Sequence, residues 1–334
     1  MNCYITLDYE LFLGAVTGTP ENSLITPMNF LISMLDKYGI KTNLFVDAAY
    51  LMQLKKFKDE YPTLNHDWDI VTKHISQMDA MGHAIQLHLH PQWCYSKYNG
   101  EKWILDKDHY KLSDMQITDQ KQLIIKGTEL LNSLIKRRVS AFRGGGWSIE
   151  NFSELYDTFI EAGIRNDSSV TRGGYKKGKY QEYDYRRIPL KTSYKVSGNF
   201  ALKKEDDEGL ITEYPVSSIS YPAIIYLLKK KMMKNRLNNI KGSEKRWGDG
   251  QGIGYPGNDV QVAITKIKML FGKKALPASI YEGIDIEEVY LHTKKHIEGN
   301  DFVIVGHPKS LSPHLIAIFE QFVVTHPELE YKLL

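Results

Sequence analysis

Five short apolar segments, separated by amphipathic stretches, are the feature that most restricts the fold of this chain. They cover residues 3–7, 42–46, 84–88, 139–142 and 302–305. Near-continuous apolar runs of this length are typical of parallel strands, which helices cover on both faces. Amphipathic helices are predicted at about 27–39, 118–137, 148–162, 285–298 and 313–326. This alternation predicts an α/β fold with a parallel sheet and right-handed crossovers.

Length and composition favour one barrel with additions. The 334 residues suit an α/β barrel with insertions, and 42% hydrophobic residues can bury a sizeable core. The alternation breaks at 168–280, where Tyr, Gly, Lys and charged residues are more frequent. A strand at 209–217, a helix at about 221–239 and a glycine-rich loop at 248–257 are predicted there. Because no linker sets this stretch apart, we expect a single barrel over 1–334, with 168–280 as a substrate-facing elaboration.

Charge, cysteines and hydropathy exclude several classes of protein. A net charge of +3 is too small to indicate nucleic-acid binding. Cys3 and Cys94 provide no disulfide framework, and we expect reduced thiols. The longest candidate for membrane contact, 222–228, is far shorter than the roughly 20 apolar residues of a spanning helix. Since a strand is predicted from residue 3 and no secretory signal is visible, we expect a cytoplasmic protein.

Side chains with metal-binding chemistry end the first and third apolar segments. Asp8 and Glu10 are two positions apart, so in an extended chain they point to one side. One carboxylate could bind a metal while the other acts as a base, and a solvated turn is the alternative. His88 and His90 share a face in the same way, and Pro91 favours extended backbone at His90. Two imidazoles at a strand end make a good pair of ligands for a divalent metal.

Further candidates lie near these segments. His83 is five residues before His88 and so points to the opposite side, which favours a structural role. Trp93 could stack on a sugar, or could be a core residue. Arg143, which precedes Gly144-Gly145-Gly146-Trp147, could pair with a carboxylate and keep it ionised, or could belong to an ordinary strand-to-helix turn. His307 could act as a general acid or base. Parallel strands direct their carboxyl ends to the active site, so these segments predict one catalytic centre.

In this order the segments resemble the motifs of the polysaccharide deacetylases, the NodB-homology domains of carbohydrate esterase family four. The resemblance covers about 1–167 and 280–310. It implies a distorted (β/α)7 barrel that removes acetyl groups from sugars with one divalent metal, an aspartate base and a histidine acid. Asp8 matches the base. Tyr9 stands where the acidic metal ligand is usual, so Glu10 is the expected ligand, as in the Asp-x-Asp/Glu branches of the family.

The resemblance also assigns the other ligands. His88 matches the first metal-binding histidine, whereas Gln92 stands at the second position, four residues on, and His90 is the expected substitute. Arg143 matches the arginine of the third motif, although the family's proline is missing from the glycine run. His307 matches the last motif, met here as Ile304-Val305-Gly306-His307. Residues 163–170, which include Asp167, resemble a stretch that follows the third motif.

These observations predict a deacetylase of an N-acetylated sugar or polysaccharide precursor, with zinc as the default metal, acting in surface polysaccharide biosynthesis. The predicted catalytic residues are Asp8, His307 and Arg143, the metal ligands Glu10, His88 and His90, and the substrate contacts Trp93, Trp147 and Asp167. One alternative is hydrolysis of another C–N bond on the same barrel. The other is a degenerate barrel that binds carbohydrate without turnover, which Tyr9 and Gln92 at ligand positions would favour.

A basic run beside Trp247 is the last feature of the sequence. It consists of Lys229, Lys230, Lys231, Lys234, Arg236, Lys241, Lys245 and Arg246. Such a run is either a solvated helix face or a surface that attracts a nucleotide-sugar diphosphate or an anionic lipid. A cytoplasmic deacetylase would meet a soluble or lipid-linked precursor, which suits the second interpretation.

Overall fold

The computed structural model of the chain describes residues 1–199, 201–238, 245–254, 270–280 and 286–334, without the side chains of 201 and 233–238. Part of the predicted glycine-rich loop, 255–257, lies outside these residues. So does Lys241 of the basic run, and the side chains of Lys234 and Arg236 are likewise outside the description.

Seven parallel strands form the centre of the sheet, in the spatial order β7-β1-β2-β3-β4-β5-β6. They are β1 (Asn2–Tyr9), β2 (Asn43–Asp47), β3 (Ala84–Leu89), β4 (Ala141–Gly144), β5 (Asn166–Asp167), β6 (Ile211–Glu213) and β7 (Asp301–Gly306). The strand Tyr194–Val196 pairs antiparallel with β6, and Glu330–Tyr331 pairs with the start of β1. The five strands predicted from apolar runs are confirmed. Because β6 lies within 168–280, that stretch contributes to the barrel itself.

Irregular chain bridges the sheet between β6 and β7. Ser217 N donates a hydrogen bond to Val303 O (3.1 Å), and Ser217 Oγ accepts one from Val303 N (3.0 Å). Ala278 N donates to Ser217 O (2.7 Å), and Val305 N donates to Ala278 O (2.9 Å). Seven parallel strands joined by these bonds confirm the predicted distorted (β/α)7 barrel.

Helices cover the outside of the sheet. They are α1 (Thr26–Asp36), α2 (Ala48–Phe57), α3 (Pro62–Ala80), α4 (Ile117–Leu134), α5 (Phe152–Glu161), α6 (Ala223–Asn238), α7 (Ile286–His296) and α8 (Pro313–Thr325). All the predicted helices are confirmed with somewhat different ends, whereas α2 and α3 were not predicted. Among the described residues, no helix combines the length and apolarity needed to cross a membrane.

Short elements connect these parts. Single turns of 3-10 helix occur at Pro91–Tyr95, Leu112–Asp114, Gly145–Trp147, Ala201–Lys203 and Pro308–Ser310, and Glu21–Ile25 is a π-helical turn. Three two-stranded ribbons join Lys97–Tyr98 to Trp103–Ile104, Tyr175–Lys177 to Glu182–Asp184, and Ser218–Pro222 to Lys273–Pro277.

Two local sequences illustrate why the helices form and where they pack. Ser312 caps α8, because its side chain accepts a hydrogen bond from Leu315 N (3.3 Å), and Pro313 occupies the first helical position. In α5 the buried positions follow the helical period, and Phe159 meets Phe142 of β4 with 4.7 Å between ring centroids. Packing of this kind places a continuous apolar core between the sheet and its helices. Cys3 and Cys94 are free thiols, as predicted.

Candidate metal centre

The predicted site residues of four strands meet at one end of the barrel. The register pairs Leu7 of β1 with Gly306 of β7, and His88 of β3 with Arg143 of β4. Asp8 and Glu10 therefore face the histidines across β2, and His307 follows β7 beside them. Parallel strands in register deliver their carboxyl ends to one surface, which is why distant segments assemble here.

Glu10, His88 and His90 offer ligand atoms that all lie within 4.8 Å of one another. Glu10 Oε2 is 2.5 Å from His90 Nε2 and 3.2 Å from His88 Nε2. His88 Nδ1 lies 2.7 Å from Arg143 O, and a carbonyl oxygen can only accept, so Nδ1 carries the proton. Nε2 is therefore the nitrogen that faces the shared centre, and its lone pair becomes available to a metal that displaces the Nε2 proton.

The electrostatics of this cluster suit a bound cation. Burial disfavours charge on His88, but the hydrogen bond to Glu10 and the charge of Asp8 raise its pKa to about 9. Burial also opposes ionisation of Glu10, yet Lys309 and His90 hold its pKa well below the usual value. An ionised carboxylate and a His88 imidazole whose surroundings favour positive charge form a donor set that fits a divalent metal.

Lys309 holds the second oxygen of the Glu10 carboxylate and was not among the predicted residues. Its Nζ lies 2.8 Å from Glu10 Oε1 and donates a further hydrogen bond to Leu11 O at 2.8 Å. Only 9% of the residue is exposed. A buried lysine needs a partner of this kind, because an unpaired buried charge is costly. The sequence signal was its position two residues after His307.

Asp8 is held by a buried arginine. Its Oδ1 accepts a hydrogen bond from Arg143 Nη1 at 2.6 Å. Arg143 Nη2 donates to Thr6 Oγ1 and Ser168 Oγ, both at 2.8 Å, and the guanidinium lies 4.4 Å from the ring centroid of Phe45. Burial opposes ionisation of Asp8, but Arg143 and then His307 lower its pKa. The carboxylate is therefore charged and oriented, as a general base requires.

His307 completes the cluster from the side of β7. Its Nε2 is 3.4 Å from Asp8 Oδ2 and 3.5 Å from Glu10 Oε1. With 16% of its side chain exposed, against 5% for Asp8 and 6% for Glu10, it is the most accessible of the three. Burial lowers the pKa of His307 to about 4 despite the two carboxylates, so the imidazole is neutral at rest.

Of the three residues that complicated the sequence assignment, two are engaged away from the centre. Tyr9 points into the core, where its hydroxyl bonds to His74 Nδ1 (2.9 Å), so it does not displace a ligand. His83 is buried at the start of β3, and its Nδ1 accepts a hydrogen bond from Thr42 N (3.1 Å), which fits the structural role favoured for it. Gln92 is buried, and its Oε1 makes no hydrogen bond among the described residues.

The three predicted substrate contacts have different surroundings. Trp93 is 0% exposed and packs against Tyr50 (4.8 Å between centroids), so the structure places it in the core, where its ring cannot stack on a sugar. Asp167 is also buried and accepts hydrogen bonds from Ser169 N and Oγ. Trp147 is half-buried in the turn after β4, with φ of +59°, a conformation that costs a bulky residue about 1–3 kcal/mol.

Two more carboxylates at strand ends were missed. Asp47 ends β2, and its Oδ1 accepts a hydrogen bond from the backbone N of His90, a candidate metal ligand (3.2 Å). Glu213 ends β6 beside Asp167, and burial together with that neighbour raises its pKa well above the usual value. Because parallel strands direct their carboxyl ends to the site, both residues could have been found from the sequence. That required the exact end of the strand predicted at 209–217 and a search of the residues that end β2.

The basic run does not form one uniform patch. Lys229 Nζ forms an ion pair with Glu288 (2.6 Å), and Arg246 Nη2 donates to Gly250 O (2.8 Å). The guanidinium of Arg246 also covers the ring of Phe12, 4.7 Å from its centroid. These two members are engaged by contacts within the chain, so the run as a whole is not a free cationic surface.

Comparisons with known proteins give structural likeness only. No protein-family model and no curated protein matches the chain. Similar solved structures include a probable polysaccharide deacetylase from Pseudomonas aeruginosa PAO1 (12% identity, TM-score 0.47, 99% of this chain and 87% of that chain) and Puue allantoinase (11%, 0.46, 99% and 86%). A third is the Bc1960 peptidoglycan N-acetylglucosamine deacetylase (16%, 0.30, 50% and 56%). The function proposed below therefore rests on the residues of the site itself.

Proposed function

We propose that the chain is a metal-dependent hydrolase that removes the acetyl group from an N-acetylated sugar or polysaccharide precursor. The observation that carries this proposal is the cluster of Glu10, His88 and His90. Beside it lie Asp8, which Arg143 holds, and His307, whose Nε2 is 3.5 Å from Glu10 Oε1. Three protein ligands of this type are typical of a catalytic zinc site that keeps one position open. A bound metal would supply Lewis-acid activation of a water molecule and of the acyl carbonyl.

The side chains of the centre divide the proton transfers. Asp8 Oδ2, which Arg143 leaves open by bonding Oδ1, accepts the proton of the attacking water. His307 Nε2 delivers a proton to the leaving nitrogen. Since His307 is neutral at rest, the proton that it delivers is one that the reaction itself releases. Asp8 Oδ2, which accepts the proton of the water, lies 3.4 Å from His307 Nε2.

The cluster also bears on the catalytically degenerate alternative. Tyr9 and Gln92 favoured it because they stand at ligand positions of the related motif. Tyr9, however, is engaged with His74, and Glu10 and His90 each offer a ligand atom close to that of His88. We therefore propose an enzyme in preference to a binding module.

Metal analysis and acetate release from N-acetylated sugars test the proposal. Asp8→Asn should abolish acetate release while metal content stays at the wild-type value, and His88→Ala should lose the metal. Asp59→Asn and His66→Ala, at exposed positions, serve as matched controls and should change neither quantity. Full activity and full metal content in His88→Ala would refute the assignment. Release of ammonia or a ring-opened product in place of acetate would favour the rival C–N hydrolase.

A further inference from the structure

The turn after β4 leads from the metal centre to a cavity with a basic and aromatic lining. A Cβ on Gly145 would lie 2.7 Å from His90 Nδ1, so this glycine abuts a metal ligand. Trp147, two residues further on, lines a cavity of about 220 Å³. Two residues of extended chain span at most roughly 7 Å, so Trp147 brings one wall of the cavity close to the candidate metal centre.

The lining of this cavity combines ring faces with positive charge. We call it the aromatic–lysine cleft and define it by Trp147, Lys176, Tyr183, Tyr226 and Lys274. The rings of Trp147 and Tyr183 stand nearly perpendicular, with 6.2 Å between centroids. Lys273 also lines the cleft, and none of its lining residues in the described part of the chain is a carboxylate.

Lys176 and Lys274 lie close enough for their positive charges to repel each other. Partial desolvation, followed by the charge of Lys274, lowers the pKa of Lys176, although the residue is exposed at the surface. The acids of the adjoining ribbon are engaged elsewhere, because Glu182 pairs with Lys111 at 3.1 Å and Asp184 pairs with Arg186 at 2.6 Å. Like charges that lie close together destabilise a folded protein, and a bound anion would relieve that cost.

Positive charge continues beyond the cleft. A second cavity shares Lys273 with it and is also lined by Arg186, Arg187 and Lys203. Asp184 is its one acidic lining residue in the described part of the chain, and it is bound to Arg186. Two lysines with further cations beyond them match a doubly charged phosphate better than a single carboxylate.

We propose that the aromatic–lysine cleft binds a phosphate group carried by the sugar substrate, with Lys176 and Lys274 as the phosphate contacts and the aromatic residues against the sugar ring. This inference rests on the proposed function, which places the acetylated sugar at the adjoining metal centre. Aromatic faces pack against apolar sugar faces, and lysine ammonium groups bind phosphate as point charges. The substrate would thus be a sugar phosphate or its ester.

Equilibrium binding measured by calorimetry tests the cleft without requiring turnover. The probes are N-acetylglucosamine 1-phosphate, neutral N-acetylglucosamine and glucuronic acid. The wild-type protein should bind the sugar phosphate roughly tenfold or more tightly than the neutral sugar, because charged hydrogen bonds contribute at that level. Lys176→Gln with Lys274→Gln should abolish this preference and leave neutral-sugar binding unchanged. Lys55→Gln with Lys56→Gln, a second pair of lysines, is the control and should keep it.

The outcomes separate this inference from the proposed function. Equal affinity for the phosphorylated and neutral sugars, or tighter binding of glucuronic acid, would overturn it. So would a phosphate preference that survives in the Lys176 and Lys274 double variant. A preference that depends on both lysines supports the cleft even where no acetate is released, and in that event only the deacetylase proposal fails. Removing two mutually repelling charges should not lower the melting temperature, so unfolding of the variant is readily distinguished from loss of binding.

Discussion

Lys309 Nζ lies 2.8 Å from Glu10 Oε1, on the opposite side of the carboxylate from the two histidines that face Oε2. The lysine thus occupies one oxygen and leaves the other facing the candidate metal ligands His88 and His90. Outer contacts of this kind orient a ligand and set its charge. The lysine and the glutamate are far apart in sequence and meet because β1 and β7 are adjacent.

Replacing this lysine should weaken metal binding. In Lys309→Met the Glu10 carboxylate loses its charged partner, and we expect metal affinity to fall by about 10- to 100-fold. Titration with zinc against a competing chelator measures the change. Lys58→Met, at a lysine paired with exposed Asp59, is the control. An unchanged affinity in Lys309→Met would show that Glu10 is oriented without the lysine.

Arg143 should be irreplaceable even by lysine. A lysine cannot reproduce the bonds to Asp8, Thr6 and Ser168, so Asp8 would be left as a buried, poorly paired charge. We expect the free energy of unfolding of Arg143→Lys to fall by about 3–5 kcal/mol. Denaturant titration at neutral pH checks this value. Arg138→Lys, at an exposed position, should unfold like the wild type, and similar stability of both variants would contradict the prediction.

Gly145→Ala should disturb the metal centre through crowding. The added Cβ would lie 2.5 Å from Leu89 O and 2.7 Å from His90 Nδ1, so the ligand or the turn must move. We expect a loss of about 1–3 kcal/mol in unfolding free energy, typical of overpacking, together with weaker zinc binding. Gly252→Ala is the control, because a Cβ there meets nothing within 4 Å. Tight zinc binding by Gly145→Ala would place His90 outside the ligand set.

Stability should fall in mild acid, in part because of His83. Burial, with a smaller effect of Lys41, lowers the pKa of folded His83 to about 4 from 6.5. As the pH falls from 6.5 towards 4, His83 binds a proton in the unfolded chain but not in the folded protein, so unfolding is favoured. Above pH 6.5 the contribution is constant.

His83→Gln should therefore lose less stability over this range than the wild type, and its metal content should be unchanged. Denaturant titrations at several pH values between 7.5 and 4 measure the slope. Some acid sensitivity will persist, because burial also lowers the pKa of His74 to about 4. Exposed His66→Gln should behave as the wild type. A loss of metal in His83→Gln would return His83 to the candidate ligands.

Short-range patterns in the sequence account for most of the elements and for the principal candidate site residues. Apolar runs predicted five of the barrel strands, because a strand covered on both faces has apolar side chains on both faces and therefore no alternation of polar and apolar residues. Two-residue parity predicted that Asp8 and Glu10 share a side, as do His88 and His90, because successive strand residues point to opposite faces. Both features are properties of the local chain and are visible in its residues.

What only the tertiary structure decided is which partners these residues meet. The burial of Lys309 against Glu10, the support of His90 by Asp47 and the closure of the barrel through Ser217 and Ala278 join residues distant in sequence. No local pattern encodes such contacts, because they depend on strand order and register. Trp93 is a further example. Its position after the histidine pair left a sugar contact and a core position both open, and the fold buries it in the core.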